Sequence, residues 1–493
     1  MRIASRLYSD EEQLAEIDRR LARLPDALDL RFERACCLED LGWNEAASQA
    51  YFAVLQRDPA HLGSLTNLGL MARQDGDLTT AHTFFTRALV HHPLATIALV
   101  NLGRVFLDQG EVASAVKQYM TALDLDPEFF AAHHGLAMLY ENSGDPDRAQ
   151  YHMKRAFEKR ASWTRPYAGT AAPLRVLLLV SARGGDIVSH PFLDDRIMET
   201  TIFVVEGFRD GMVLPAHDVV FNSIGDADRC REPLEGARAL RIASTAAVIN
   251  NPDSVLATGR AANAERLGRI TGVVVPRTER VVRSAVTAAE LAADGWTFPL
   301  LVRTPGHHAG SYFEHVAEPA AIPEMLARVP GDALFVIEFV DLRDADGFLR
   351  KYRVLFVDGR IYPAHLAISR DWKVHYFSAD MADRPDHRVE EQRFLNDMAA
   401  TLGAAVLETL EQIGRVLGLD YGGVDFGIDL ARNGVIFEAN ATMAVYAPAA
   451  EERWAYRKPT YEAIVAAVRA LIASRSAAAP QDVPQSRENT NNG

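Results

Sequence analysis

Pro25, Pro59, Pro93 and Pro127 stand 34 residues apart, and Gly42, Gly76, Gly110 and Gly144 keep the same step. So do Ala47, Ala81, Ala115 and Ala149, and again Ala35, Gly69, Gly103 and Ala137. Large side chains follow the alanines by four positions at Tyr51, Phe85 and Tyr119, with Met153 in the last copy. Registers sharing one period exclude a single globule over this third of the chain, because each copy leaves an apolar face that only the next copy covers. Small residues let two helices approach, the aromatic fills the groove beside them, and glycine and proline end the helices. The pattern predicts helix-turn-helix units over 28–61, 62–95, 96–129 and 130–163, after a helical lead-in over 1–27.

The array resembles tetratricopeptide (TPR) repeats, although the tryptophan usual near the start of the first helix is missing. The resemblance implies an all-α superhelix whose concave face docks a peptide or protein partner. The plainer alternative is a scaffold for dimerisation or for the rest of the chain.

At 493 residues the chain exceeds what one hydrophobic core usually serves, so further domains are expected beyond the array. Its net charge of −14, from 66 acidic against 52 basic residues, argues against nucleic acid and anionic membrane surfaces as partners. The three cysteines are Cys36, Cys37 and Cys230, and the adjacent pair lacks zinc-ligand or redox-motif spacing, which suits a reducing compartment. Neither a signal peptide nor an apolar run near the ~20 residues of a membrane span is evident, so the expected location is cytoplasmic.

After a linker over 164–172 the pattern changes to strands alternating with helices. Apolar runs at 175–181, 201–205 and 218–222 read as strands, and alternating β and α units imply a largely parallel sheet. Residues 173–275 form one α/β subdomain in this reading and 276–473 a second. Phe394, Met398, Leu402, Val406 and Leu410 recur at helical spacing within 390–417, a supporting helical region. The tail over 474–493 lacks a core-forming pattern and is expected to be disordered.

Two apolar segments flank Asn433-Gly434 and read as a β-hairpin carrying Asp425 on one strand and Glu438 and Asn440 on the other. Side chains two apart in a strand share a face, so Glu438 and Asn440 point the same way, roughly 7 Å apart. A tight turn on Asn433-Gly434 would pair Asp425 with Thr442 and leave Glu438 roughly 13 Å away. A longer loop over 430–433 would instead set Asp425 opposite Glu438, where carboxylate and amide oxygens suit a hard ion such as Mg²⁺. The longer loop is predicted. The bland alternative is an ordinary hairpin with surface acids.

This hairpin, with Glu438 thirteen residues after Asp425 and Asn440 two further on, resembles that of the ATP-grasp ligases, among them glutathione synthetase and the ribosomal-protein glutamate ligases. Other segments extend the resemblance over about 300 residues. Asn251-Pro252 would shape a lead-in loop before Pro276-x-Thr278, and Arg260 occupies a position where these enzymes often carry a basic residue. Arg303 ends a strand that leads into Gly306-His307-His308-Ala309-Gly310, where the family places a phosphate-contacting lysine and a loop that closes over the nucleotide. Arginine offers a bidentate fork instead. The implied cofactor-binding set is Arg260, Arg303, Gly306, His308, Gly310, Glu338, Phe339, Val340 and Asp341, with Glu338 to Val340 reading the adenine edge and Asp341, or more weakly Asp346, the ribose. An edge acid after a buried strand is the bland alternative for 338–341. His307, His365 and His375 stay uncommitted.

A second hairpin turns at Asp358-Gly359 and carries Arg353, which the resemblance assigns with Arg303 to catalysis as a stabiliser of developing charge. Gly423 stands where some of these ligases place another arginine. The implied metal set is Asp425, Glu438 and Asn440, holding one or two Mg²⁺ with ATP. The expected activity is carboxylate–amine ligation through an acyl phosphate, on a peptide, protein or amino acid recruited by the repeats. A thiol or hydroxyl acceptor, and an adaptor whose nucleotide domain switches without ligation, are the alternatives.

Overall fold

The computed structural model describes residues 10–143, 145–159, 161–305, 312–374, 379–448 and 451–477. Two compact units, Met1–Ala161 and Ser162–Gly493, make up the chain.

In the first unit α1 (Asp10–Arg23) precedes four helix pairs: α2 (Leu28–Asp40) with α3 (Asn44–Leu55), α4 (Leu62–Gln74) with α5 (Leu78–His91), α6 (Thr96–Asp108) with α7 (Val112–Leu125), and α8 (Phe130–Asn142) with α9 (Pro146–Phe157). Several of the periodic glycines have a visible steric reason. A Cβ on Gly69 would sit 2.7 Å from the Phe85 ring, and one on Gly103 2.7 Å from Tyr119, so only glycine lets these helix pairs close. Gly42, Gly76 and Gly110 take φ of +76°, +81° and +81° just past the first helix of each pair, where a left-handed residue ends the helix cheaply. Tyr51, Phe85 and Tyr119 are fully buried, and Leu14 and Ile17 of α1 join the same core as Tyr51 and Leu65. Gly144 lies outside the described residues.

The second unit begins earlier than the spacing suggests. Ser162–Thr164, assigned from sequence to the end of the last repeat and the start of a linker, form β1, an antiparallel edge strand on β3. The first sheet runs β1-β3-β2-β4-β5, with β2 (Leu174–Val180), β3 (Met198–Val204), β4 (Val219–Asn222) and β5 (Ala247–Ile249) mutually parallel. Helices α10 (Arg231–Ala243), α11 (Pro252–Leu256) and α12 (Arg260–Leu267) follow.

The expected parallel sheet stops there. β6 (Val273–Val274) leads into β7 (Thr278–Val282), β8 (Leu300–Arg303), β9 (Phe313–Val316) and β10 (Ala333–Glu338), and the second sheet, β7-β10-β8-β9, is antiparallel throughout. The third sheet, β12-β11-β13-β14-β6, contains β11 (Leu349–Val357), β12 (Arg360–Ser369), β13 (Tyr421–Ile428) and β14 (Gly434–Asn440), antiparallel except where β14 meets β6. A tight hairpin joins β11 to β12: Asp358 and Gly359 adopt φ of +48° and +74°, the paired positive values of a two-residue turn.

Three helices, Pro385–Asn396, Met398–Leu402 and Ala404–Leu417, fill the region expected as one. Asp397 caps the second by accepting from Ala400 N, and Gly403 at φ +83° breaks the path into the third. Val406, Leu410, Ile413 and Leu417 of the third helix are buried, and Gly414 admits the Phe356 ring. A last helix, Lys458–Ala477, carries order past the predicted tail boundary at Ser474, because Leu471 and Ile472 are buried and Ser474 still hydrogen-bonds Leu471 O. Residues 478–493 of the expected tail lie outside the described residues.

Candidate functional site

The register of β13 and β14 places Asp425 directly opposite Glu438, as the longer-loop reading requires. Two devices produce it. Residues 429–433 form a loop that Asp429 closes by accepting from Asn433 N at 2.7 Å and Asn433 Nδ2 at 2.9 Å, and a bulge leaves Phe437 as the extra residue between Ile436 and Glu438. Glu438 and Asn440 do share a face, with Asn440 Nδ2 donating to Glu438 Oε1 at 3.0 Å.

Asp425 is 2% exposed and already engaged. Arg353, its cross-strand partner on β11, grips it with Nε at 2.6 Å and Nη2 at 2.9 Å, and Lys351 Nζ lies 3.1 Å away. Burial would raise the Asp425 carboxyl, but these two cations hold it well below the usual carboxylate range. Burial likewise works against the charge on Arg353, and the facing Asp425 overcomes it and raises its pKa. Glu438 is held more loosely, by Arg260 Nη2 at 3.3 Å.

These groups line a cavity of about 530 Å³ within the second unit, a size suited to a nucleotide-scale ligand. Arg303 ends β8 on its wall, with its guanidinium 5.3 Å from the Phe313 ring centre. Burial, then the like charge of Arg260, lowers the Arg303 pKa to about 10. Among the described residues, Arg260, Arg303, Lys351 and Arg353 are four of seven basic side chains that line this cavity, which six carboxylates also line, Asp425 and Glu438 among them.

Glu338, Phe339 and Val340 line the same cavity. The Glu338 N–H donates to Arg277 O at 2.8 Å, and its carboxylate accepts from Arg277 N at 3.1 Å. Asp341 is not among the lining residues; its carboxylate accepts from Arg343 N at 3.2 Å and Nη1 at 2.6 Å. Asp346 is likewise taken, by Arg350 and Phe348 N. Gly306, His307, His308, Gly310 and His375 lie outside the described residues. His365 is buried on the cavity wall, and burial followed by the Arg353 charge pushes its pKa far down, so it is a neutral ring.

Gly423 has a physical reason to lack a side chain. A Cβ there would lie 2.6 Å from Val354 O and 2.8 Å from Leu355, so an arginine at this position would not fit the sheet.

Some positioning residues were not legible beforehand. Asn251 caps α11 by accepting from Asp253 N at 3.0 Å, as a loop-shaping residue should, but its neighbour Asn250 does more. Fully buried at φ +55°, Asn250 exchanges bonds of 2.8 Å with both Tyr421 N and Tyr421 O, and Asp420 accepts from its N–H at 2.9 Å. The first sheet thereby anchors the start of β13. Asp228 accepts from Arg260 N at 3.1 Å and orients α12. Asp186 faces the cavity, and burial pushes its carboxyl up to about 7. No spacing signal pointed to Lys351, Asn250 or Asp186.

The predicted metal set was two carboxylates and an amide. Among the described residues no cluster of three or more His, Cys, Asp or Glu side chains suited to a metal occurs. Glu438 and Asn440 carry hard oxygen donors of the type Mg²⁺ takes, with Asn440 Oδ1 accepting from Thr442 N at 2.9 Å and Thr442 Oγ1 at 3.0 Å. Asp425 does not fit in this arrangement, because Arg353 and Lys351 occupy its oxygens.

Comparison with known proteins bears on the first unit. The family described as TPR repeat matches residues 103–144. A barley (Hordeum vulgare) protein, probable UDP-N-acetylglucosamine–peptide N-acetylglucosaminyltransferase SPINDLY, is 30% identical over 98 residues, which are 20% of this chain and 10% of that protein. The match lies in the repeats and spans about a tenth of the relative's length. Among solved structures, MamA is 21% identical over 30% of this chain and 88% of its own, with a TM-score of 0.27. TTC0263, a TPR protein of Thermus thermophilus, is 22% identical over 31% and 83%, with a TM-score of 0.28. The pilus biogenesis factor PilW is 23% identical over 30% and 68%, also at 0.28. The family match and the helix pairs of the first unit identify TPR repeats, and a mixed α/β region follows them. Among the described residues no helix is long and apolar enough to cross a membrane.

Proposed function

We propose that the second unit is an ATP-grasp ligase domain that joins a carboxylate to an amine, and that the TPR array recruits its peptide or protein substrate. The observation that carries this reading is the convergence of Arg260, Arg303, Lys351 and Arg353 with Glu438 and Asn440 in one cavity of about 530 Å³. Basic groups from α12, β8 and β11 suit a polyphosphate, and the wall of Ile337, Phe339 and Trp372 suits a purine.

In this reaction a substrate carboxylate oxygen attacks the γ-phosphorus of ATP and the bond to ADP breaks. The amine nitrogen then attacks the acyl carbon, and phosphate leaves. Bound at Glu438 and Asn440, Mg²⁺ would supply charge neutralisation and alignment for the phosphates. Arg303 and Arg260 hold the transferring end, and Arg353, fixed on Asp425 by bonds of 2.6 and 2.9 Å, faces the same cavity. Asp186, with its carboxyl near neutrality, suits removal of a proton from the incoming ammonium.

A nucleotide-binding switch without ligation is the second reading, favoured by one observation: Asp425 is closed off by Arg353 and Lys351. ADP release measured with Mg²⁺, ATP and a panel of peptide carboxylates and amines separates the two. Ligation predicts ADP in step with a coupled product. Nucleotide binding without ADP from any acceptor rejects ligation and leaves the switch.

A further inference from the structure

Two carboxylates of the candidate site face each other across strands, and the chain treats them differently. Asp425 on β13 stands opposite Glu438 on β14, a pairing that repels unless cations neutralise it. On its other side Asp425 stands opposite Arg353, and Lys351, two residues along β11, shares the Arg353 face. Asp425 Oδ1 accepts from Arg353 Nε at 2.6 Å, while Oδ2 accepts from Arg353 Nη2 at 2.9 Å and pairs with Lys351 Nζ at 3.1 Å.

Glu438 is the more open of the two. Its side chain is 26% exposed, against 3% for Asp425, and it pairs with Arg260 Nη2 at the longer distance of 3.3 Å. A carboxylate oxygen that already accepts from a cation has that lone pair committed, and a divalent ion brought to Asp425 would also meet the like charges of Arg353 and Lys351. The bidentate fork fixes the plane of the guanidinium, and Lys351 and Arg353 both line the cavity while they hold Asp425.

We infer that Asp425 is a positioning residue and not a metal ligand. Its carboxylate fixes Arg353 and Lys351 as a permanent two-cation clamp for the nucleotide phosphates, and the divalent ion enters on the Glu438 side of the hairpin. The clamp supplies from the protein the positive charge that an ion at Asp425 would otherwise bring, so nucleotide binding depends on the metal through Glu438 and on the clamp through Asp425. This inference rests on the nucleotide reading of the cavity and is independent of which acceptor is joined.

The test measures the dissociation constant of a fluorescent β,γ-imido analogue of ATP on the full-length protein, in excess Mg²⁺ and in EDTA, for the parent, Asp425→Asn and Glu438→Gln. Asp425→Asn is expected to weaken binding about tenfold in both media, the scale of a charge-assisted hydrogen bond, so that the ratio of the two constants stays within about twofold of the parent's. Glu438→Gln is expected to hold the affinity in EDTA and to remove most of the advantage that Mg²⁺ gives the parent. Loss of that advantage in Asp425→Asn makes Asp425 a metal ligand and overturns the inference. Equal affinity of the parent in both media overturns it too, since no ion then serves the nucleotide at Glu438. Lys351→Met, which leaves the Arg353 fork in place, covers the case in which Asp425→Asn does not fold: a loss of about tenfold in both media is expected, and unchanged affinity overturns the clamp. A parent that binds no analogue in either medium rejects the nucleotide reading and this inference with it, an outcome distinct from the others.

Discussion

The repeat unit and the α/β unit are held together over different distances along the chain, and that decides how far each can be read in advance. In the repeats a side chain meets neighbours one helix away, as Tyr51 meets Asn67 across 16 positions. In the α/β unit the decisive bonds join Arg353 to Asp425 across 72, Asn250 to Tyr421 across 171 and Arg260 to Glu438 across 178. Local contacts leave a period in the sequence, whereas long-range pairs leave single residues whose partners are set by topology.

The largest effect that would sharpen this contrast is expected from Arg353→Met. Removing one partner of a buried ion pair leaves Asp425 facing only Lys351 and should cost about 3–5 kcal/mol in chemical denaturation. The transition assigned to the repeats should not move. A loss spread equally over both units would break the contrast.

Glu438→Gln is expected to lower turnover by about 10²–10³-fold, the scale of losing one electrostatic stabiliser. Circular dichroism melting should stay within a few degrees of the parent. Full activity in this variant would remove Glu438 from the site.

Gly103→Leu tests the other side. Its Cβ would meet the Tyr119 ring at 2.7 Å, so overpacking should cost about 1–3 kcal/mol in the repeats while nucleotide affinity stays unchanged. Weakened nucleotide binding would show a coupling that local packing does not predict.

A smaller effect is expected from pH. His133 and His152 share a buried hydrogen bond of 2.9 Å between their Nδ1 atoms, and His133 Nε2 donates to Pro127 O at 3.0 Å. Burial, then the His133 ring, lowers the His152 pKa from 6.5 to about 4. The unfolded chain therefore binds the proton more readily than the folded one. The contribution is fully present above about pH 6.5 and is lost as pH falls from there toward 4. Thermal melts between these limits, compared with His152→Leu, should show a pH slope that the variant lacks.

Legibility followed the same division. The helix boundaries of the repeats came directly from glycines whose positive φ the structure displays. The register of β13 on β14 was also readable, because only a longer loop sets Asp425 against Glu438. The use of Asp425 was not: nothing in the strand that contains Arg353 and Lys351 says that both will face it from β11. Asn250 was passed over for Asn251 because a buried left-handed asparagine has meaning only beside Tyr421.

The sequence by itself determined the helical repeat array, the change to strands after it, and the two hairpins, since period, turn chemistry and alternation are local properties of the chain. The tertiary structure alone decided that the second sheet is antiparallel throughout and that β6 joins the third in parallel, and that Lys351 joins Arg353 on Asp425. It also left Asn101 Nδ2 and Tyr119 Oη without a hydrogen-bond partner among the described residues. Charge pairing and burial depend on which distant residues are brought within a few ångströms, and distance in space is what a linear pattern does not encode.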